Sequence, residues 1–388
     1  MRGTRTIWPA GFAFAAASIA LCVGCKADAR KTKKSAARPE GGERFARDAG
    51  SLEGVRPVAQ VPSAILETLQ VLHEQRLELS PPRAPAQRLE FGPGRLLQVS
   101  SDHVVLRDTE SGESLSEVNL GLVLAVAHGS DGALLGVGTG GGTRFESRSK
   151  KAQAFPHAAF FPDSILFPDL EQPAQFYVYY PTEQQLLRYS LQSEAGTFLP
   201  IEATVPLEGC TGVPTQLRDG AFACRTATGF ARKAPRGART DFKPVVDLGQ
   251  PFRLLPAKRL DELYAVDRAG EVKHVRLAAG APVLGAFQLP APPWAAASNE
   301  EALAFVLVSA PQAGQERRWS LLVTDFDGQP RLQVDLGTKL APAGEDWAKA
   351  VAEDKNLAIS GFEPLVAVGG GAKLTVWDYR DGKVRFAR

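Results

Sequence analysis

A single pattern recurs four times along this chain: an apolar strand that ends in Asp, a Gly three or four residues later, and a second alternating strand. An Asp carboxylate at the end of a strand accepts hydrogen bonds from the N–H groups of the following turn, and Gly takes the left-handed φ that closes a tight hairpin. The pattern therefore predicts four hairpins whose Asp and Gly residues are structural. The pairs are Asp108 with Gly112, Asp267 with Gly270, Asp325 with Gly328, and Asp378 with Gly382.

The spacing of these hairpins is typical of stacked β-sheet repeats. Gly112 and Gly382 lie 270 residues apart, which is six intervals of 45. Leu-Gly dipeptides that end at Gly121, Gly249 and Gly337 are separated by 128 and 88 residues, which are three and two similar intervals. A four-stranded blade of a β-propeller occupies about 40–50 residues. The spacing therefore favours a propeller, in which each blade covers the faces of its neighbours.

This repeat divides the chain into seven units. Their ranges are 87–121, 122–158, 159–204, 205–249, 250–290, 291–340 and 341–388. With 37 Gly and 28 Pro, about one residue in six turns the chain, which favours short strands over long helices. We predict an all-β fold for residues 87–388, a seven-bladed propeller of four-stranded antiparallel sheets.

Residues 55–86 leave two alternatives open. Part of this segment could supply a strand that completes an eighth blade, whereas the apolar positions of residues 62–79 also suit a short helix. A linear series of separate β-domains is a third possibility for the body of the chain.

The N-terminus predicts export. Residues 7–24 carry no charge and follow Arg2 and Arg5. A basic start, an apolar core and small residues at the end are the features of a secretion signal, and the core is short for a membrane-spanning helix. We assign residues 1–24 to a signal peptide, and an uncleaved membrane anchor is the alternative.

The end of this segment resembles the processing site of bacterial lipoproteins. Residues 23–25, Val-Gly-Cys, match the last three positions of that motif. The resemblance implies that Cys25 is lipidated through its sulfur and that Cys22 is removed with the signal. The alternatives are a plain signal peptide cut elsewhere and a Cys-x-x-Cys redox or metal pair, which the lack of further ligands nearby disfavours.

The segment after Cys25 differs in charge from the rest of the chain. Residues 25–54 carry eight Lys or Arg against five acids and few large apolar groups, so we expect a disordered basic tether. From Val55 onward there are 35 basic and 38 acidic residues, a balance that argues against nucleic acid as a partner. Enterobacterial lipoproteins retained at the inner membrane carry Asp after the lipidated Cys. Lys26 stands there instead, which implies the outer membrane.

Two segments resemble known propeller repeats. Residues 374–387, LTVWDYRDGKVRFA, contain the dipeptide Trp377-Asp378 and resemble a WD repeat. Residues 263–277, LYAVDRAGEVKHVRL, resemble a quinoprotein-type blade. In length and plan the chain is similar to the propeller lipoprotein subunit of the outer-membrane β-barrel assembly machinery. This resemblance implies a protein of the cell envelope that faces the periplasm or the cell surface.

The remaining two cysteines predict a disulfide. Cys210 and Cys224 lie fourteen residues apart around the turn-forming sequence Arg218-Asp219-Gly220. An exported chain meets an oxidising compartment, where two such cysteines across a hairpin would pair. The bond should stabilise the fold by about 3 kcal/mol through its effect on the unfolded chain.

The histidines give no sign of a metal site. No two of them lie within four residues of each other, as metal-ligand motifs require. They are His73, His103, His128, His157 and His274.

A glycine-rich stretch contains Gly136, Gly138 and Gly141 in G-x-G-x-x-G spacing. Phosphate binding needs a helix after this motif, but the next residues alternate like a strand, so we interpret it as a blade turn. We also interpret residues 368–375 as a blade turn. We find no nucleophile motif and predict no catalytic residue, metal or cofactor.

These observations favour a non-enzymatic, lipid-anchored envelope propeller that acts as a scaffold for other envelope proteins. Two alternatives remain open at this point. One is a module that binds glycan or peptidoglycan, and the other is a propeller enzyme, either a quinone-dependent dehydrogenase or a lactonase-like hydrolase.

The lipid anchor can be tested by substitution. We expect Cys25→Ala to move the protein from the membrane to the soluble fraction, because the acyl chains that hold it would no longer attach. Cell fractionation and immunoblotting measure the distribution. Unchanged membrane association of the variant would contradict lipidation at this cysteine.

Overall fold

The computed structural model describes twelve stretches of the chain. They are residues 89–100, 103–121, 123–138, 141–146, 150–155, 165–181, 183–191, 201–244, 253–309, 316–340, 356–370 and 373–388. Every regular element in these stretches is a β-strand, and they contain no helix that could cross a membrane. The predicted signal, the tether and residues 55–86 lie outside them.

The strands of the first four blades follow one another in chain order. Blade 1 contains β1 (Leu89–Gly92), β2 (Arg95–Ser100), β3 (His103–Asp108) and β4 (Ser114–Asn119). Blade 2 contains β5 (Val123–His128), β6 (Leu134–Gly138), β7 (Gly141–Phe145) and β8 (Ala152–Phe155). Blade 3 contains β9 (Ile165–Pro168), β10 (Gln175–Tyr180), β11 (Gln185–Ser190) and β12 (Ile201–Pro206). Blade 4 contains β13 (Cys210–Gln216), β14 (Phe222–Thr226), β15 (Gly229–Lys233) and β16 (Arg239–Phe242).

The last three blades have the same organisation. Blade 5 contains β17 (Arg253–Pro256), β18 (Glu262–Val266), β19 (Glu271–Arg276) and β20 (Val283–Gln288). Blade 6 contains β21 (Pro293–Ser298), β22 (Leu303–Ser309), β23 (Glu316–Thr324) and β24 (Pro330–Leu340). Blade 7 contains β25 (Asn356–Ile359), β26 (Leu365–Gly370), β27 (Lys373–Asp378) and β28 (Val384–Ala387).

This arrangement confirms the predicted fold class, an all-β propeller with seven blades of four antiparallel strands. Six of the seven sheets lie within the units that the repeat spacing predicts, and the third sheet ends at Pro206, two residues beyond its predicted unit of 159–204. The innermost strands follow one another around the ring, and β1 of blade 1 contacts β25 of blade 7. The eight-bladed alternative and the linear series of domains are therefore wrong, since the ring closes with seven sheets.

The apolar core is divided among the seven junctions between neighbouring blades, with one cluster at each. Alternate residues of a strand face opposite sides of its sheet. Leu96 of β2 accordingly packs against blade 7, while its neighbour Leu97 packs against blade 2. Each sheet is buried on both faces, and each fully buried Leu contributes about 1.5–3 kcal/mol.

Among the strands that the structure describes, none is shared between the first and last blades, and the ring closes by side-chain packing. All seven sheets consist of consecutive strands. At the junction, Leu89 and Phe91 of blade 1 pack with Leu374 and Phe386 of blade 7. Closure therefore depends on how well these side chains fit.

The predicted hairpins are present, and their Asp carboxylates accept hydrogen bonds from the turns. The N–H of Ser111 donates to Asp108 Oδ1 (2.8 Å), and the N–H of Gln329 donates to Asp325 Oδ1 (2.9 Å). In the other two hairpins, the N–H of Glu271 donates to Asp267 Oδ1 and the N–H of Arg380 donates to Asp378 Oδ1. The glycines have left-handed φ, namely 72° at Gly112, 89° at Gly270, 82° at Gly328 and 73° at Gly382.

In two of the three hairpins between third and fourth strands, the glycine also makes room for the preceding blade. A Cβ on Gly112 would stand 2.5 Å from the Phe386 ring of blade 7, and one on Gly328 would stand 2.6 Å from the Phe287 ring of blade 5. Both aromatic residues lie on the outermost strand of the preceding blade. These turns therefore need Gly for interblade packing as well as for φ.

The assumption that the repeated hairpins and dipeptides mark one position in each blade is wrong. Gly270 lies between the second and third strands of blade 5, whereas the other three hairpins join third and fourth strands. Likewise, Gly121 follows β4, but Gly337 lies within β24, and Gly249 is outside the described residues. The same turn chemistry closes any tight β-turn, so it reports the presence of a hairpin and not its place in the blade.

Candidate functional site on the lower face

Successive strands of a blade run in opposite directions, so their connections lie on two faces. We call the face with the turns between first and second strands, and between third and fourth strands, the lower face. The remaining connections, including those from one blade to the next, lie on the upper face. Each innermost strand runs from the upper face to the lower face.

Polar side chains link neighbouring blades where the innermost strands reach the lower face. Gln216, the last residue of β13, donates from Nε2 to the carbonyl oxygen of Pro168 in blade 3 (2.6 Å). Ser298, the last residue of β21, donates from Oγ to the carbonyl oxygen of Pro256 in blade 5 (2.9 Å). Equivalent positions thus bond to the preceding blade around the axis.

His128, the last residue of β5, occupies the same position in blade 2. Its Nδ1 lies 2.6 Å from Oε1 of Glu90 on β1, and 40% of the His128 side chain is accessible against 11% of that of Glu90. Burial alone would lower the pKa of His128, but the charge and hydrogen bond of Glu90 outweigh it and raise that pKa. The pair therefore favours the protonated imidazole.

Two contacts on the lower face pass over an intervening blade. Arg218 of blade 4 lies 3.4 Å from Glu300 of blade 6, measured from Nη1 to Oε1. The His128 ring of blade 2 meets the Phe362 ring of blade 7 edge-on, with centroids 6.3 Å apart. Residues from alternate blades can touch only near the axis, so these side chains surround the lower mouth of the central channel.

Phe362 combines exposure with a fixed backbone. It lies in the turn between β25 and β26, and 47% of its surface is accessible. The N–H groups of Phe362 and Glu363 both donate to Oγ of Ser360 (3.1 Å each), which holds the turn. The turn therefore presents an aromatic side chain to solvent with little backbone freedom left to lose on binding.

Other exposed apolar and charged groups lie on the same face as Phe362. Leu260, in the turn between β17 and β18, is 54% exposed. Arg380 pairs with Glu301 between blades 7 and 6, and both side chains are about half accessible. Exposed pairs of this kind add little stability, and they leave charge on the lower face.

A second repeat on the lower face was missed in the sequence. Asp131 and Asp219 each follow a first strand, and each pairs with an Arg on the third strand of its own blade, Arg144 and Arg232 respectively. The signal was available, because both stretches begin Asp-Gly-Ala and place the Arg 13 residues after the Asp. These ion pairs are structural features of blades 2 and 4.

The predicted disulfide is confirmed. Cys210 and Cys224 are bonded, with Cα atoms 5.6 Å apart, and both are buried in the cluster between blades 3 and 4. The bond joins β13 to β14 across the register shift between Thr211 and Thr215.

The glycine-rich stretches form hairpins. Gly138 pairs with Gly141 between β6 and β7, so a strand follows the G-x-G-x-x-G motif. Residues 368–375 span the hairpin between β26 and β27.

The structure does not bring the described histidines together. His103 Nε2 lies 3.8 Å from Glu117 Oε1 in blade 1, and His274 Nε2 lies 2.8 Å from Glu262 Oε2 in blade 5. No group of three potential metal ligands occurs within the part of the chain that the structure describes. His73, His157 and Cys25 lie outside it.

No protein-family model matches this chain, and no curated protein sequence matches it. Apo AztD from Citrobacter koseri is similar in structure, with 12% identity, a TM-score of 0.52, and coverage of 76% of this chain and 93% of that one. The Cps50 (Swd1) propeller domain of Myceliophteria thermophila is 12% identical, with a TM-score of 0.49 over 76% and 96% of the two chains. Sqt1 from Saccharomyces cerevisiae is 10% identical, with a TM-score of 0.48 and coverage of 79% of this chain and 85% of that one.

Identities this low show the fold alone. The chain has a β-propeller fold with seven blades. Its resemblance to bacterial lipoproteins and to the propeller subunit of the barrel-assembly machinery stays a prediction from the sequence.

The His128–Glu90 pair predicts a pH-dependent contribution to stability. A raised folded-state pKa means that this contribution is complete below the unfolded-state pKa of about 6.5 and is lost as pH rises through the folded-state value. We expect His128→Gln to lower the urea midpoint more at pH 5.5 than at pH 8.5. Equal losses for His128→Gln at both pH values would contradict this electrostatic role.

Proposed function

We propose that this protein is an exported, lipid-anchored propeller that acts as a non-enzymatic scaffold and binds another envelope protein on its lower face. The observation that carries the proposal is the half-exposed Phe362 on a hydrogen-bonded turn at the channel mouth. Aromatic side chains surrounded by polar groups are typical centres of protein interfaces.

The disulfide supports export. Bonds such as Cys210–Cys224 form and persist in oxidising compartments. This agrees with the predicted signal peptide and with lipidation at Cys25, which would hold the protein at a membrane, with the outer membrane favoured. The protein would then meet its partners in the periplasm or at the cell surface.

The direction of the chain favours the lower face as the docking surface. The segment that carries the predicted anchor joins the propeller at Leu89, the first residue of β1. Because β1 starts at the upper face, the described chain enters the propeller on the face opposite the lower one. Phe362 and Leu260 are both exposed on that face.

Crosslinking in native cells tests this surface. We expect Phe362→Ala to reduce the recovery of one crosslinked envelope protein at least about tenfold, because truncating an interface hot spot costs 2 kcal/mol or more. Quantitative mass spectrometry of the purified adducts measures the recovery. Since Phe362 is half exposed, thermal unfolding should stay close to that of the wild type.

Leu284→Ala is the matched control, because Leu284 is 42% exposed on the outermost strand of blade 5. It should recover the same partner as the wild type. Identical recovery with both variants and the wild type would contradict docking through Phe362.

A further inference from the structure

The outermost strand of blade 5 carries no charge. β20 lies within residues 277–299, which contain no charged side chain. Natural proteins place charged residues on the exposed edges of their sheets, because a bare edge pairs with other strands. Five of the other six outermost strands contain charged residues, and β8, which has none, directly follows Lys151. The charged residues are Glu117 of β4, Glu202 of β12, Arg239 and Asp241 of β16, Arg331, Asp335 and Lys339 of β24, and Arg385 of β28.

β20 is also open to solvent. Leu284, Gly285, Ala286 and Gln288 are exposed, and 42% of the surface of Leu284 is accessible. The chain around β20 is described without a gap from residue 253 to residue 309, and none of the described strands pairs with the outer edge of β20. The uncharged edge is therefore accessible along most of its length.

The pairing of β20 with β19 shows which backbone groups face outward. The N–H of Leu289 donates to the carbonyl oxygen of Gly270 (2.8 Å), and Gln288 stands opposite Glu271 in the same register. In an antiparallel pair, residues that bond to the neighbouring strand alternate with residues that do not. Ala286 and Gln288 therefore turn their N–H and carbonyl groups away from β19. An added extended chain can pair with such groups in series.

We propose that β20 pairs antiparallel with β20 of a second copy of this chain, about a two-fold axis centred on Phe287. This register places Ala286 of each copy opposite Gln288 of the other. Each of the outward-facing N–H and carbonyl groups of these residues then gains a hydrogen bond across the interface.

The lack of charge favours a second copy as the occupant. Symmetric pairing brings a residue of one strand close to the same residue of the other, so that a charge on the strand would repel itself. β20 avoids this repulsion, and the second copy supplies a strand that is equally extended, exposed and uncharged. The edge lies on the outer rim of blade 5, and the proposal does not depend on the docking proposed for the lower face.

Sedimentation velocity of the full-length protein at increasing concentration tests this pairing. We expect the wild type to change from monomer to dimer as its concentration rises. Ala286→Pro should raise the dissociation constant of the dimer at least about tenfold, because each copy loses one outward donor. Its Tm should stay close to that of the wild type, since this N–H makes no bond to β19 and an edge strand accepts Pro at such a position.

Ala387→Pro is the matched control. The N–H of Leu374 donates to the carbonyl oxygen of Arg388, and the N–H of Arg388 donates to that of Leu374 (2.8 Å each). By the same alternation, the backbone groups of Ala387 face away from β27. Ala387 is exposed on an outermost strand that carries Arg385. This variant should dimerise as the wild type does.

Two charge variants test the identity of the paired strand without a change in the backbone. Ala286→Lys and Ala286→Glu should each stay monomeric at concentrations where the wild type dimerises, because two like charges then stand diagonally across the interface. An equal mixture of the two variants should regain the dimer, since the charges facing each other are then opposite. Ala286 is exposed, so both side chains fit without disturbing the core.

The proposal is overturned if the wild type stays monomeric at every concentration, or if Ala286→Pro dimerises as readily as Ala387→Pro. It is also overturned if each charge variant dimerises alone, or if their mixture stays monomeric. A monomeric wild type that binds the end-blocked peptide of residues 282–289, with the binding lost in Ala286→Pro, would assign this edge to a strand of a different protein instead of a second copy.

Discussion

Apolar packing between neighbouring blades is the interaction on which the rest of this structure depends. Each four-stranded sheet has two apolar faces and can bury neither of them alone. The seven clusters at the blade junctions solve this problem for all the sheets at once, including the junction between the first and last blades. Because none of the described strands is shared there, a poor fit between Phe386 and blade 1 would weaken the whole ring.

The same geometry creates the candidate sites. Bringing seven innermost strands to one axis places residues from distant parts of the chain side by side, so that His128 meets both Glu90 and Phe362. The lower mouth is lined by paired groups and carries an exposed aromatic side chain. These groups make the lower face the candidate site of this propeller.

The sequence predicts the blades well because the signals of a blade are local. Alternating strands and Asp–Gly turns repeat within each unit, and the disulfide joins residues only fourteen apart. The position of a hairpin within its blade was harder to predict from the sequence, because every tight turn uses the same residue types. Gly270 shows this, since it joins second and third strands. Contacts between blades could not be predicted at all. Arg218 and Glu300 are 82 residues apart, and nothing in their local sequence indicates that they meet.

Comparing two glycine substitutions tests the role of interblade packing most directly. Gly112 and Gly337 both have left-handed φ, and Ala at either position costs about 1–2 kcal/mol for that reason. Only at Gly112 would the new Cβ also meet Phe386 of the neighbouring blade. At Gly337 no atom lies within 4 Å of the new Cβ. The free energy of unfolding should therefore fall by about 1–3 kcal/mol more for Gly112→Ala than for Gly337→Ala. Equal losses would contradict the dependence of the ring on this packing.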